Sequence, residues 1–231
     1  MSTVTSENLP AHIGFIVDGN RRWARERNLP TLEGHRRGFD RVEDIAEAVI
    51  EKGVKFASFY LFSTENWNRS EEEVTYLMDL LRTNIVRLSK KLQKKGIKMV
   101  VMGRADPAPK DVLEKLAAAE EATKDGDKGT VCICFNYGGH WEIADAANKA
   151  IAAGETNLTP ETFAKYLYHP EVPACDLIVR TSGEERISGF QLWRAAYSEF
   201  LFLDKYFPDM EVADLDDILA EFSSRSRRFG K

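Results

Sequence analysis

Residues 12–24 read HIGFIVDGNRRWA, an apolar run that ends in an acid, a glycine and two arginines. The apolar part, Ile13 to Val17, is short and rich in β-branched residues, which predicts a buried strand. Asp18 follows directly, and Gly19 permits a tight turn between this strand and a following helix. Backbone amide groups after such a turn can face an anion. The segment therefore predicts the opening unit of an α/β fold with a ligand-binding turn.

The rest of the chain repeats this alternation of short apolar runs and longer amphipathic segments. Strands separated by helices predict right-handed crossovers and a mainly parallel sheet covered on both faces. The predicted fold is α/β, a single domain over residues 1–231 with about six strands. The predicted strands cover residues 13–17, 54–62, 97–102, 130–135, 176–180 and 199–203, and the predicted helices cover 38–51, 71–95, 111–122, 141–152 and 215–222, with a short helix opening at Thr159-Pro160.

Charge is distributed unevenly along the chain. The protein has 231 residues, 30% of them charged, and a net charge of −5, which gives no reason to expect a nucleic acid partner. Between Arg21 and Arg37, however, six arginines face two glutamates, so this window carries a charge of 6 − 2 = +4. A local positive charge in an acidic protein favours a small anionic ligand, and a solvated basic helix face is the alternative.

The location is predicted from the cysteines and from the absence of long apolar segments. Cys132, Cys134 and Cys175 have no metal-binding spacing and are expected to be free core residues in a reducing compartment. The first ten residues lack the features of a signal peptide, and no apolar run is long enough to span a bilayer. We therefore expect a soluble cytoplasmic protein.

Polar clusters directly follow four of the predicted strands, and the carboxyl ends of parallel strands form the usual ligand-binding edge. We therefore expect the four clusters to form one site. Within it, Asp18 is suited to hold Mg²⁺, and its alternative role is to cap the next helix. The clusters are Asp18-Gly19-Asn20, Ser63-Thr64-Glu65-Asn66, Asn136-Tyr137-Gly138-Gly139 and Arg180-Thr181-Ser182-Gly183.

These segments resemble the cis-prenyltransferases, the family that contains the undecaprenyl diphosphate synthases. The resemblance begins with HIGFIVDGNRRWA, continues through Gly34-His35 and ends with RRFG at 227–230. Because the matching segments occur in order and cover nearly the whole chain, the set is much more specific than one motif. The other segments are YLFSTENWNR at 60–69, NYGG at 136–139, DLIVRTSGEERISGFQLW at 176–193 and AYSE at 196–199.

The resemblance implies a role for each matching residue. Asp18 is implied to position Mg²⁺ on the diphosphates, and Glu199 is similar to a second acid near the metal. Isopentenyl diphosphate is implied to be held by Arg180, Arg186 and Ser188. The primer diphosphate is implied to contact Gly19, Asn20, Arg21, Arg22 and His35, with Trp23 in the same substrate-binding set, and the reacting centre is implied to be bordered by Ser63, Asn66, Trp67 and Arg69.

The resemblance also implies partners. The expected substrates are isopentenyl diphosphate and geranyl, farnesyl or geranylgeranyl diphosphate, with an apolar tunnel for the growing chain. Arg228 and Gly230 match a C-terminal Arg-x-Gly that, in the family, reaches across a dimer interface, so a homodimer is expected. Loose association with the inner face of the membrane is expected for product release.

The implied chemistry leaves the proton acceptor open. Loss of diphosphate from an allylic carbon leaves a cation, so the departing charge needs Mg²⁺ and fixed donors such as arginine. The carbon–carbon bond then forms and a proton leaves. His35, Asn66 with Ser63, and a diphosphate oxygen are the three candidates for its acceptor, so the expected catalytic residues are Asp18, Asn66 and His35.

Four positions depart from the family pattern. Thr31 stands where the family usually has an arginine for the primer diphosphate, and Arg25 or Arg27 is the expected replacement. His140 stands where arginine is usual after NYGG. Arg104 and Gly189 replace an acid and an asparagine. None of these departures removes Asp18, Arg180, Arg186 or Glu199, so activity is expected.

Leu61 bears on the length of the product. Long-chain members of the family carry alanine at this position, and leucine adds volume close to the reacting end. Close packing leaves few voids to absorb that volume, so a short or medium product is expected. The alternatives are that Leu61 points into the core or that its neighbours are smaller.

Two alternative functions fit the sequence less well than an active cis-prenyltransferase. A partner-dependent, non-catalytic subunit of the same family would be expected to lack Asp18, which is present. A trans-type prenyl elongase would be all helical with two Asp-rich motifs. Asp216-Asp217 is a single acidic pair, and it is expected to stabilise the first turn of the last helix by its negative charge.

Overall fold

The computed structural model describes residues 8–225. Its centre is a six-stranded, all-parallel sheet in the order β3-β4-β2-β1-β5-β6. The strands are β1 (His12–Ile16), β2 (Phe56–Ser63), β3 (Lys98–Met102), β4 (Thr130–Tyr137), β5 (Leu177–Arg180) and β6 (Glu199–Phe202). The helices are α1 (Asn20–Glu26), α2 (Thr31–Glu51), α3 (Glu71–Lys95), α4 (Lys110–Thr123), α5 (Gly139–Ala152), α6 (Pro160–Ala164) and α7 (Asp214–Ser224).

The sheet is buried on both faces, as expected for parallel strands connected by helices. Every residue of β1 is buried, and successive side chains enter different clusters. Ile13 and Phe15 belong to the larger core, where Phe15 stacks on Phe59 at 5.1 Å between ring centroids. Ile16 belongs to the smaller core on the other face. The predicted α/β class and the six parallel strands are therefore confirmed.

One helix boundary differs clearly from the prediction. Helix α2 begins at Thr31 rather than at residue 38 and is continuous through Gly34 and Gly38. A Cβ at Gly34 would lie 2.0 Å from the backbone oxygen of Asn20, and one at Gly38 would lie 2.3 Å from the Asn20 side-chain oxygen. Glycine is therefore required for α2 to pack against the start of α1, although glycine weakens the helical pattern in the sequence.

The other differences are shifts of one or two residues at element ends. The first strand stops at Ile16 instead of Val17, and β4 extends to Tyr137. All three cysteines are free and buried, as expected. Within residues 8–225, no helix is long and apolar enough to cross a membrane.

His12 is a buried, neutral histidine in the first strand. Its Nδ1 lies 3.0 Å from the carbonyl oxygen of Pro173, which can only accept a hydrogen bond, so Nδ1 carries the proton. Its Nε2 then accepts from the Ser58 hydroxyl at 2.7 Å. Burial lowers the pKa of His12 to about 4, and the backbone hydrogen bond to Pro173 offsets only part of this effect.

Stability should therefore fall as the medium becomes acidic. A folded-state pKa of about 4, below the ordinary 6.5, means that the unfolded chain binds a proton more readily between these values. Lowering the pH from 7 to 5 should cost about 2 kcal/mol of the free energy of unfolding through His12. Urea titrations should show this loss in the wild type and in the exposed control His140→Gln, but a smaller loss in His12→Gln. Equal losses of stability in all three proteins would show that His12 is not the source of the acid sensitivity.

Candidate active site

One open cavity of about 570 Å³ lies at the carboxyl ends of β1, β2 and β5. These ends are level because Ile16 pairs with both Tyr60 and Arg180. The pairing explains why residues far apart in sequence meet in one place. The predicted residues on the cavity wall are Asp18, Gly19, Asn20, Arg21, Arg22, His35, Ser63, Asn66, Arg69, Arg180, Arg186 and Ser188.

Asp18 is held between two arginines. Its Oδ2 accepts from Arg180 Nη2 at 2.8 Å and lies 3.5 Å from Arg22 Nη2, while its Oδ1 accepts from the Gly19 amide at 2.7 Å. Burial alone raises the pKa of Asp18, but the hydrogen bonds from Arg180 and Gly19 outweigh it and hold the pKa below its usual value. The carboxylate is therefore ionised and available to a cation. Asp18 does not cap α1 through its side chain, because the N-cap is Gly19.

The loop after β5 arranges the second arginine group. Arg180 is almost fully buried and donates from Nη1 to Ser188 Oγ at 2.9 Å. Its Nε is buried and has no hydrogen-bond partner among residues 8–225. Glu184 accepts from Arg22 at 3.0 Å and from Arg186 at 2.5 Å. Glu184 was not predicted from the sequence. Its position between Arg180 and Arg186 could have indicated that it pairs with an arginine of the site.

A third group connects α2 to α3. Glu73 Oε1 lies 3.0 Å from His35 Nε2 and 2.9 Å from Arg69 Nη1, and Glu73 Oε2 lies 3.8 Å from Arg21. Burial lowers the pKa of His35, and the contact with Glu73 offsets only part of this effect. The imidazole is therefore neutral at neutral pH. A carboxylate can only accept, so Nε2 carries the proton and Nδ1 is left as an acceptor.

Ser70 and Glu73 also begin α3, but they form only half of a capping box. Ser70 Oγ accepts from the Glu73 amide at 3.3 Å, whereas the Glu73 side chain turns to the cavity groups instead of returning to the cap. Ser63 and Asn66 form the complete box of the neighbouring 3₁₀ turn, Thr64–Asn68. The Asn66 side chain accepts from the Ser63 amide at 3.0 Å, so these two residues fix each other on the cavity wall.

Two predicted tryptophans lie behind the site rather than on its wall. Trp23 is buried, and its Nε1 donates to Asp209 at 2.6 Å. Trp67 Nε1 donates to Asn136 Oδ1 at 2.8 Å and packs edge-on against Phe62. Neither side chain lines the cavity, so in this structure both support its wall from behind, and direct contact with a substrate stays a prediction. The NYGG segment is likewise absent from the wall, because Asn136 is occupied with Trp67 and the loop after β3.

Glu199 is not brought to Asp18 within one chain. It pairs with Leu177 at the start of β5, three residues before Arg180, so it lies about 10 Å along the sheet from the cavity edge. Its carboxylate accepts from Arg225 at 3.1 Å. A role for Glu199 as a second acid near the metal stays a prediction, and the Glu199 of the same chain does not lie beside Asp18. The predicted residues Arg228 and Gly230 lie outside the described residues.

Thr31 stands where the family usually has an arginine, and the two expected replacements for that arginine lie in different surroundings. Arg25 lines the cavity. Arg27 instead donates to Asp209 at 2.9 Å and lies over the Trp23 ring at 4.7 Å from its centroid. Arg25 is therefore the residue available to an anion. Tyr60 also lines the cavity and was missed by the sequence analysis, since it belongs to a strand that reads as core.

A small apolar cavity of about 30 Å³ adjoins the polar one. Leu61 lines both cavities and is the residue at their junction. The remaining wall comes from Phe39 of α2, from four residues of α3 between Leu77 and Leu81, and from Phe62 and Phe135 of the sheet. An apolar chain attached to a group in the polar cavity would meet Leu61 first.

Comparison with known proteins identifies the family. The family model described as putative undecaprenyl diphosphate synthase matches residues 16–230. An isoprenyl transferase of Thermotoga maritima is 44% identical and covers 96% of this chain and 97% of its own length. The trans,polycis-polyprenyl diphosphate synthase ((2Z,6E)-farnesyl diphosphate specific) of Thermobifida fusca is 43% identical and covers 97% of this chain and 82% of its own length.

A solved structure agrees with these relatives. Lavandulyl diphosphate synthase from Lavandula x intermedia, in complex with dimethylallyl diphosphate, has a TM-score of 0.92 and 30% identity, over 97% of this chain and 100% of that one. The similarity includes the strand ends that form the cavity, because it extends over almost the whole chain. The chain therefore belongs to the undecaprenyl diphosphate synthase family and is a cis-prenyltransferase.

Proposed function

We propose that this chain joins isopentenyl diphosphate to an allylic diphosphate primer and so builds a polyprenyl diphosphate with Z double bonds. The observation that carries the proposal is the single cavity in which Asp18 lies between Arg22 and Arg180. Two arginine groups beside one acid suit two diphosphates that meet at one point. Incubation with labelled isopentenyl diphosphate and geranyl, farnesyl or geranylgeranyl diphosphate, followed by chromatography, tests the activity and the preferred primer.

The two arginine groups lie in different surroundings, and we propose that each binds the diphosphate of a different substrate. Arg180, Arg186 and Ser188 share the loop after β5 and are proposed to hold isopentenyl diphosphate. The primer diphosphate is proposed to be held by Arg21, Arg22, Arg25 and Arg69, with His35 beside them. Arg22 also contacts Glu184 of the loop after β5, and Arg69 contacts Glu73 of α3.

Mg²⁺ is the proposed cofactor, and the residues present fit it. Residues 8–225 contain no group of three or more His, Cys, Asp or Glu side chains placed to hold a metal. Mg²⁺ does not require one, because it commonly uses one carboxylate together with substrate phosphate oxygens. Asp18, about a third exposed in the cavity, would supply that carboxylate. When bound, the ion neutralises charge on the departing diphosphate.

The protein groups stabilise charge and orient the two substrates. The primer loses the bond between its first carbon and a diphosphate oxygen, and Arg22 and Arg69 can donate to the departing anion. Arg180 and Ser188 can hold the second diphosphate so that its alkene faces the allylic cation. The new carbon–carbon bond forms there, and loss of a proton from the second substrate leaves the Z double bond.

Among the three candidates for the proton acceptor, His35 has the strongest chemical support on the protein. Its neutral ring keeps Nδ1 as an acceptor while Glu73 holds Nε2. The Asn66 amide has no basic atom, and its oxygen is already occupied by the Ser63 amide. We therefore assign proton transfer to His35 and assign Ser63 and Asn66 to shaping the wall.

The growing tail is proposed to enter the apolar cavity past Leu61. The junction residue is well placed to restrict a chain that advances between α2, α3 and the sheet. A short or medium product stays the prediction. An apolar product must finally leave the enzyme, and the proposed route is loose contact with the inner face of the cytoplasmic membrane.

A homodimer is proposed because one chain does not complete the expected metal site. Glu199 and Arg225 contact each other at the amino end of β6, away from Asp18 of the same chain. Arg225 directly precedes the segment that contains Arg228 and Gly230. Glu199 and the start of the C-terminal segment therefore lie at one place. From there, a second copy of the chain could bring both into the Asp18 cavity of its partner. The alternative of a non-catalytic subunit is tested by assaying the purified chain alone.

Removal of the Asp18 carboxylate should nearly abolish turnover while the fold persists. Asp18→Ala is expected to lower kcat at least about 100-fold, a loss of roughly 2.7 kcal/mol in transition-state stabilisation. Thermal unfolding and circular dichroism check the fold, and the exposed Asp125→Ala is the control. A variant that keeps more than about a tenth of the wild-type rate would contradict the metal role.

The pH dependence of the reaction should follow His35. Burial lowers its pKa, and Glu73 raises it only in part, so Glu73→Gln should lower the pKa of His35 further. If His35 acts as a neutral acceptor, the acidic limb of the kcat/KM profile must shift to lower pH in this variant. The exposed Glu72→Gln, one residue earlier in α3, should leave the limb in place. A limb that does not move in Glu73→Gln excludes His35 from this role.

Mixing two inactive variants tests the shared site. If Glu199 acts in the partner's cavity, equal amounts of Asp18→Ala and Glu199→Ala chains, unfolded and refolded together, should form heterodimers with one complete site each. Random pairing predicts about a quarter of the wild-type activity. Each variant refolded alone is the control. Activity no higher than in the separate variants, or an active species of monomer mass, would show that the site is not shared.

A further inference from the structure

A row of ion pairs connects α2 to α3 along their outer edge. We call it the α2–α3 ladder. It consists of three cations of α3 that bridge acids of α2, with the closest contact of each cation between 2.6 and 2.8 Å. Arg87 contacts Asp40 and Glu43, Lys91 contacts Asp44 and Glu47, and Lys95 contacts Glu47 and Glu51.

The ladder lies beyond the apolar cavity as seen from the catalytic cavity. The two helices run side by side in the same direction, because residue numbers rise together along every contact between them. His35 contacts Glu73 at the catalytic cavity, and Phe39 and Leu77 line the apolar cavity one turn further on. The ladder then begins at Asp40 and Arg87 and continues to the ends of both helices.

The space beneath the ladder is filled. Ile45 and Val49 of α2 and Ile85, Leu88 and Leu92 of α3 are all fully buried in the larger core. A close-packed interior of this kind has no room for a further prenyl unit. A tail that has filled the apolar cavity can therefore advance only if α2 and α3 move apart.

Separation of the helices affects the two kinds of contact differently. A prenyl tail that enters between them replaces lost side-chain contacts with equivalent apolar contacts. The tail cannot replace an ion pair, since it has no charge and no hydrogen-bonding group. Water solvates the separated charges only in part, so the ladder is the part of the helix contact for which the tail itself gives no compensation.

We propose that the α2–α3 ladder limits the length of the polyprenyl product by holding the two helices together beyond the apolar cavity. This inference rests on the proposed function and assigns a specificity role to Arg87, Lys91 and Lys95. None of the three lines the catalytic cavity, so the ladder acts on how far the tail advances and leaves the bond-forming residues untouched.

The chain offers a matched control on the same helix. Arg82 of α3 pairs with Asp79 of its own helix and with Asp111 of α4, and so makes no contact with α2. The test compares the triple variant Arg87→Gln, Lys91→Gln, Lys95→Gln with Arg82→Gln. Leu61→Ala serves as a reference that enlarges the cavity junction without changing the ladder.

Product length is the readout, measured by reversed-phase chromatography after incubation with labelled isopentenyl diphosphate and a primer. In the triple variant, product longer than the main wild-type species should increase at least about fivefold, since several exposed pairs are lost together. Arg82→Gln should give the wild-type distribution. Circular dichroism and thermal unfolding check that each variant is folded.

Ionic strength provides a second measurement that needs no variant to fold. Between about 0.1 M and about 1 M salt the screening length falls from about 10 Å to about 3 Å, which weakens exposed pairs. Wild-type and Arg82→Gln products should lengthen with salt, whereas the triple variant should show no further change. If the triple variant does not fold, the single variant Lys91→Gln and the wild-type salt series decide the question.

The outcomes separate the inference from the function on which it rests. Polyprenyl products of equal length in wild type and triple variant, at both salt concentrations, would overturn the ladder proposal and leave the condensation reaction intact. The absence of any condensation product from the wild type with all three primers would overturn the proposed function itself.

Discussion

The hydrogen bond between Asp18 and Arg180 is the contact on which the site depends. It joins the ends of β1 and β5, which are neighbours in the sheet but are separated by more than 160 residues in the chain. The level ends of these parallel strands bring the two side chains to one edge. Arg22, Glu184 and Ser188 are then positioned by contacts with this pair or with each other. A small number of charged contacts thus organises two loops around one acid.

Much of the fold could be predicted because its strands are buried runs and its helices are amphipathic. The exceptions have specific causes. The start of α2 was missed because Gly34 and Gly38, which permit close packing on Asn20, interrupt the apolar pattern. The order of the strands in the sheet could not be predicted either, because no local sequence pattern shows that β1 lies between β2 and β5.

Residues at the carboxyl ends of the strands β1 and β5 reach the cavity wall, and their roles there stay predictions. Asp18 and Arg180 end neighbouring strands and reach the cavity. Glu199 is the first residue of its strand and therefore lies at the end of the sheet away from the cavity. Its place in a matching motif did not reveal this position. Asn136 was expected to follow a strand but lies within the last residues of β4, where it has a positive φ and its side chain accepts a hydrogen bond from Trp67. Strand direction and side-chain partners decide these cases, and neither is visible in a motif.

Charge balance explains why a divalent cation suits this cavity. Its wall carries six arginines (Arg21, Arg22, Arg25, Arg69, Arg180, Arg186) and two acids, Asp18 and Glu184, which gives 6 − 2 = +4. A diphosphate ester carries about three negative charges near neutral pH, so two substrates bring about six. The protein alone would leave about two of these charges uncompensated, and one Mg²⁺, the proposed cofactor, would balance them. Because Arg180 and Arg22 already contact Asp18, most of the negative charge that would attract this cation would come from the proposed substrates.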